Sequence, residues 1–176
     1  GIHIWMLTGD KIETAINIGI AANLIDNYAE QFIYTEDLVL DEKKLMTRLN
    51  EDISKIEKAL NIPYYDFDEN EKYTESIWFR FINCFKGKKK KDLSLNREKF
   101  TSIMNYANHV LIVDGTVIDI LLTEKFEKKF FYLADKCTSV ICGRISPYQK
   151  GAIVTSANRL LKKITLAIGD GANDRN

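Results

Sequence analysis

The sequence predicts an α/β fold, a parallel sheet flanked by helices and carrying a largely helical insertion. Three observations predict it. Short apolar strand patterns alternate with amphipathic helix patterns toward both ends of the chain, the order that gives a doubly wound parallel sheet. The strand patterns end on glycine-containing turns that carry Asp or Arg, and ligands of such sheets bind outside the carboxyl ends of the strands. Residues 26–108 break the alternation, with a long helical stripe and no regular strand spacing. At 176 residues the chain is long enough for one domain with a sizeable core. Hydrophobic residues make up 45% and charged residues 28%, ordinary for a globular protein, and a formal net charge of +0 gives no global field toward nucleic acid or membrane. No run of about 18 apolar residues reads as a membrane span.

Taken in order, His3 to Leu7 reads as a buried strand that breaks at Thr8-Gly9-Asp10. Ile12, Ala15, Ile16, Gly19 and Ile20 then recur at helical spacing, predicting a helix to about Leu24. Within the insertion, Leu45, Leu49, Ile53, Ile56 and Leu60 form one apolar stripe and predict a helix near 41–60. Asp66 to Glu75 is acidic and reads as a loop. Trp78, Phe79, Phe81 and Phe85 make an aromatic cluster, followed by a basic loop near 86–92 that is expected to be flexible. Val110 to Val113 is a second strand ending at Asp114-Gly115-Thr116. Val117 to about Lys136 reads as helical with an interruption near Thr123, and Phe126, Phe130 and Leu133 line one face. Ser139 to Cys142 is a third strand, ending at Gly143-Arg144. Ser146 is a good N-cap, Pro147 fits the first helical position and Gln149 completes a capping box, so a helix should run from Pro147 to about Leu161. Ile164 to Ile168 is predicted as the fourth strand. The chain opens within a strand pattern, carries no signal peptide and stops on a site motif, and so reads as cut from something longer.

Four segments carry candidate chemistry. Gly169-Asp170-Gly171-Ala172-Asn173-Asp174 follows the last strand pattern. Its glycines remove side-chain bulk, and Asp170 and Asp174 offer the hard oxygen ligands that Mg²⁺ takes beside a phosphate; an Asx-rich turn closing a strand has the same composition. Thr8 can donate its hydroxyl to a phosphoryl oxygen, Gly9 lets a ligand approach the main chain, and the following helix points free N–H groups at an anion. Asp10 could cap that helix or bond a ligand hydroxyl. Lys150 stands in the first turn of its helix, where the dipole disfavours a cation unless a phosphate faces it; a solvated lysine is the simpler alternative. Arg144 could reach a nucleotide, a phosphate or a nearby carboxylate. Cys84, Cys137 and Cys142 are an odd count without a C-x-x-C pair, which favours reduced thiols. His3 and His109 have no second ligand nearby in sequence and read as structural.

These segments carry a family resemblance. Thr8-Gly9-Asp10-Lys11 with Glu13-Thr14-Ala15-Ile16-Asn17-Ile18-Gly19 is similar to the phosphorylation-domain signature of P-type ATPases, in the form found in the phospholipid-flippase class. Val140 to Lys150, with its Ser-Pro-x-Gln-Lys helix start, and Thr165 to Asp174, with Gly-Asp-Gly-Ala-Asn-Asp, resemble the same class, and the Val113-Asp114-Gly115 turn fits it. About 90 residues in two blocks, 1–25 and 109–174, carry the match in the family's order.

The resemblance implies a haloacid-dehalogenase-like Rossmann fold. Residues 1–25 and 109–176 would form part of the cytosolic phosphorylation domain, and 26–108 an insertion in it. It implies Mg-dependent ATP hydrolysis through an aspartyl phosphate, coupled to phospholipid translocation. Carried over by position, Thr8 and Lys150 would hold the transferring phosphoryl group. Gly9, Asp10, Arg144, Asn173 and Asp174 would border the nucleotide, and Asp170 and Asp174 would bind Mg²⁺. The implied partners are a phospholipid substrate, the membrane, a possible accessory membrane subunit and the rest of the same polypeptide, with no nucleic acid. The implied location is the cytosolic face of an integral membrane protein.

The pattern also departs from the family. No Asp-Lys-Thr-Gly occurs, so the nucleophilic aspartate is not among these residues and the chain alone is expected to be inactive. Arg175 stands where a small or apolar residue is expected. The rival reading is the flippase-like ATPase domain that some protist guanylyl cyclases carry, with a regulatory role. A stand-alone phosphatase would need its own nucleophile before the Thr8 strand. The aromatic cluster and Lys88 to Lys91 could touch anionic lipid, although packing of the aromatics on the core with a solvated lysine loop is the favoured account.

Overall fold

In the computed structural model, residues 2–67, 108–169, 171 and 174 are described. Four strands form one all-parallel sheet: β1 (Ile4–Leu7), β2 (Glu30–Tyr34), β3 (His109–Asp114) and β4 (Ser139–Gly143), in the order β1-β4-β3-β2. The helices are α1 (Ile12–Ala21), α2 (Glu42–Leu60), α3 (Gly115–Leu121), α4 (Glu127–Lys136) and α5 (Pro147–Leu161), with a short 3-10 turn at Glu36–Leu38. None of the described helices is long and apolar enough to cross a membrane.

The central strand explains the layers. All six residues of β3 are buried, so its sequence is a nearly continuous apolar run with no polar face. Successive side chains point to opposite sides of the sheet. Val110 and Ile112 pack with Ile141, Ala15 and Ile25 under α1. Leu111 and Val113 pack on the other side with Leu45, Leu49 and Ile56 of α2, Val117 of α3, Phe130 of α4 and Ile153 of α5. A parallel sheet covered on both faces is the architecture that the alternating patterns imply.

The helix signals at the two ends of this layer operate as the residues dictate. Ser146 accepts from the Gln149 N–H while the Gln149 side chain accepts from the Ser146 N–H, closing the capping box. The run after Asp114 is interrupted at Thr123, whose hydroxyl donates to the Ile120 carbonyl at 2.7 Å, giving α3 and α4 in place of one helix. Asp41 caps α2 by accepting from the Lys43 and Lys44 N–H groups.

Several expectations are corrected. Ile164 to Ile168 is not a strand: it joins no sheet, and Ile164, Leu166 and Ile168 are 105%, 82% and 87% exposed. An apolar alternating segment becomes a strand only where a neighbour satisfies its N–H and C=O groups, and no described strand pairs with it. The fourth strand is instead β2, within residues 26–108, where none was expected. It forms a parallel ladder with β3, from Glu30 opposite His109 to Tyr34 opposite Val113. β1 is a half-exposed edge strand, not a buried one, because among the described strands it pairs with β4 alone. Asp10 does not cap α1; the cap position is Lys11, without a side-chain bond. Cys84, the Trp78 to Phe85 cluster and Lys88 to Lys91 lie outside the described residues.

His3 and His109 occupy structural positions. The His3 ring Nδ1 lies 2.7 Å from the Cys137 carbonyl, and His109 is buried, stacked on Phe32. α2 is tied to the sheet by a buried carboxylate: Asp52 accepts from the Tyr34 hydroxyl and from Arg48 Nε, both at 2.8 Å.

Candidate functional site

Among the described residues, Thr8, Gly9 and Asp10 follow the carboxyl end of β1, and Arg144 and Lys150 follow that of β4. The turn after β1 is stitched directly to the turn after β4. Thr8 N–H donates to the Cys142 carbonyl at 3.0 Å, Ile145 N–H to the Thr8 carbonyl at 3.0 Å, and Arg144 N–H to the Asp10 carbonyl at 2.6 Å. These bonds use the backbone, which leaves the Thr8 side chain at the surface. There its hydroxyl donates to Asp10 Oδ2 at 2.9 Å, while the Asp10 N–H donates back to Thr8 Oγ1 at 3.2 Å.

Two glycines make this close approach possible by their lack of bulk, since neither has a positive φ. A Cβ on Gly143 would stand 2.9 Å from the Ile12 Cα, blocking the seat of α1 on the end of β4. A Cβ on Gly115 would stand 2.1 Å from the Arg144 carbonyl oxygen, so the turns after β3 and β4 could not approach this closely with a side chain there. At Gly9, by contrast, a Cβ would make an ordinary 3.7 Å contact with the Ile145 carbonyl, so the fold itself does not require glycine at that position.

Arg144 is the strained residue of the site. Its φ of 55° is left-handed, a conformation that non-glycine residues adopt rarely and that concentrates at functional sites. Its guanidinium takes up the alternative that the sequence left open, a nearby carboxylate. Nε donates to Asp114 Oδ2 at 2.8 Å, and Nη2 lies 2.6 Å from the same oxygen and 3.3 Å from Glu36. Burial pushes the Asp114 pKa up, but the bonds from Arg144 and Thr116 outweigh it and hold the carboxyl below its usual range. The hydrogen bond to Asp114 raises the already high pKa of Arg144, which keeps its full charge. The sequence placed Asp114 in a turn that fits the family but gave it no contact with Arg144, and gave Glu36 no role; an Asp-Gly pair ending a buried strand was the available signal for the first, and nothing signalled the second.

Lys150 is placed by α5. Ser146 fixes the start of the helix, and Gln149 anchors it sideways, donating to the Gly115 carbonyl and to Asp119 Oδ1, both at 2.9 Å. The Lys150 ammonium reaches Asp174 Oδ1 at 2.7 Å, with both side chains mostly buried. Asp174 also accepts from the Gly171 N–H at 3.2 Å. The terminal turn folds back so tightly that a Cβ on Gly169 would stand 2.5 Å from the Asp174 Cβ. Asp170 and Asn173 lie outside the described residues. Among the described residues no group of three or more His, Cys, Asp or Glu side chains could hold a metal ion. Asp174 nevertheless supplies the hard carboxylate oxygens that suit Mg²⁺, in a turn kept narrow by glycine.

No family model matches the chain. It is 33% identical over 174 residues to the phospholipid-transporting ATPase DNF1 of Chaetomium thermophilum, covering 99% of this chain and 10% of that protein. It is 35% identical over 177 residues to the probable phospholipid-transporting ATPase 11 of Arabidopsis thaliana, covering 99% and 12%. Against the human phospholipid-transporting ATPase ID it is 31% identical over 176 residues, covering 98% and 12%. The chain therefore spans about a tenth of the length of the curated relatives it matches. The similarity runs through residues 26–108 as well as the signature turns, and on it the chain belongs, as a segment, to the phospholipid-transporting ATPase family of P-type ATPases.

Proposed function

We propose that this chain is the part of a flippase phosphorylation domain that grips phosphate and metal, in a haloacid-dehalogenase-like fold built from residues 1–25 and 109–176 with 26–108 as an insertion. The observation that supports it most is the stitching of the Thr8–Asp10 turn to the Arg144–Ile145 turn, with Lys150 held beside Asp174. Thr8 and Lys150 hold the transferring phosphoryl group by a hydroxyl donor and a mostly buried ammonium. Positioning and charge neutralisation are the main protein contributions to such transfers. Gly9 and Asp10, with Arg144, Asn173 and Asp174, border the nucleotide. Asp170 and Asp174 would hold Mg²⁺, which when bound neutralises phosphate charge. Lys150 holds the Asp174 carboxylate in place before any ligand arrives.

The nucleophilic aspartate belongs to an Asp-Lys-Thr-Gly sequence that these residues do not contain, so the chain by itself is not expected to hydrolyse ATP. In the intact polypeptide the same grips serve Mg-dependent ATP hydrolysis coupled to phospholipid movement, on the cytosolic face of a membrane and beside an accessory membrane subunit where one is bound.

Titration of the chain with ATP in magnesium buffer, followed by backbone amide shifts in NMR, tests the reading. Shifts should concentrate at Thr8, Gly9, Arg144 and Lys150. Lys150→Met, which keeps the aliphatic stem and removes the ammonium, should weaken them by about tenfold or more. Absence of shifts at these turns would refute the assignment.

A further inference from the structure

The two carboxylates on Arg144 differ in kind. Asp114 is fully buried, and its second oxygen already accepts from the Thr116 N–H and hydroxyl, both at 3.0 Å. That carboxylate is therefore fixed by β3 and α3 independently of the arginine. Glu36 is a long side chain, 71% exposed, on the 3-10 turn that follows β2, and it meets only the outer Nη2 at 3.3 Å. A buried carboxylate with fixed geometry directs a guanidinium; an exposed pair contributes little and is easily exchanged. A phosphate oxygen binds the same outer guanidinium edge that Glu36 covers.

The geometry points to Asp114 as the positioning residue that aims Arg144 at the nucleotide, and to Glu36 as a carboxylate that competes with nucleotide phosphate for it. The inference rests on the reading that Arg144 borders the nucleotide, and it gives the first turn of the insertion a role in setting nucleotide affinity. Two changes should then move affinity in opposite directions, which a merely structural role for either residue does not produce. Glu36→Gln removes the competing charge from an exposed position. Asp114→Asn keeps an oxygen to cap α3 through Thr116 but turns a second donor toward the guanidinium.

The test is calorimetric titration of the 176-residue chain and its variants with ATP, with adenosine as the phosphate-free control. Glu36→Gln should tighten ATP by about two- to fivefold and leave adenosine unchanged. Asp114→Asn should weaken ATP by about threefold or more. If Arg144→Gln weakens ATP but Glu36→Gln leaves it unchanged or weaker, the competition is overturned while the nucleotide reading stands. Unchanged affinity in a folded Asp114→Asn overturns the positioning role. If Arg144→Gln has no effect, or the chain does not bind ATP, the nucleotide reading falls and takes the inference with it. Should Asp114→Asn fail to fold, the surface variant Glu36→Gln decides alone.

Discussion

Replacing Gly115 by alanine should destabilise the protein even though alanine is the better helix former. Gly115 is the first residue of α3, and at an open helical position the exchange would stabilise by about 0.5–1 kcal/mol. Here the new Cβ meets the Arg144 carbonyl oxygen at 2.1 Å and its carbon at 2.8 Å, with Gln149 Oε1 at 3.4 Å. The first two are backbone atoms of the next turn, held by the Arg144 to Asp10 hydrogen bond, so no side chain can swing away. The two turns must part by roughly an ångström, an overpacking that typically costs about 1–3 kcal/mol and outweighs the helical gain. Gly151 supplies the control. It lies inside α5, and a Cβ added there would meet nothing within 4 Å, so Gly151→Ala should raise stability by about 0.5–1 kcal/mol. Urea unfolding followed by far-UV circular dichroism reads both variants. A Gly115→Ala protein as stable as the parent, or two variants shifting the same way, would refute the account of how these turns meet.

Removing the capping box with Ser146→Ala should lower stability by about 1 kcal/mol, read in the same urea titration, because the Gln149 N–H loses its acceptor. The acid limb follows from three depressed carboxyls. The Thr35 hydroxyl lowers the pKa of Asp37, and at Asp114 and Asp135 burial raises it but bonds from Arg144 and Lys163 respectively prevail. Each binds its proton more weakly folded than unfolded, so their contribution is present at neutral pH and should fade as pH falls below about 4. An acid titration of the thermal midpoint that stays flat down to about pH 2 would contradict it. Burial pushes the Cys142 thiol up to about 12, so iodoacetamide at about pH 8 should leave it unmodified in the folded protein and label it in urea.

What could be read in advance divides along physical lines. The α1 to α5, β3 and β4 elements were legible because each carries a local signal: helical spacing, a buried apolar run, or the Ser-Pro-x-Gln start. β2 was missed because Glu30-Gln31-Phe32-Ile33-Tyr34 is short and mixed in polarity, and its partner β3 is 79 residues distant along the chain from Glu30 to His109. Ile164 to Ile168 failed for the converse reason, a good strand pattern without a ladder partner among the described residues. At the site, Thr8, Arg144 and Lys150 were legible as turn residues after strands. The carboxylates that hold Arg144 were not, because Asp114 and Glu36 meet it only when β2, β3 and β4 lie side by side.

On the function proposed above, this chain grips phosphate and metal for a transfer whose nucleophile it does not contain. Incorporation of acid-stable label from ATP tests that most directly, measured on the 176-residue chain beside the full-length gene product. Label is expected on the full-length protein, lost in Lys150→Met, and none on the chain alone; acid-stable label on the chain alone would contradict the proposal.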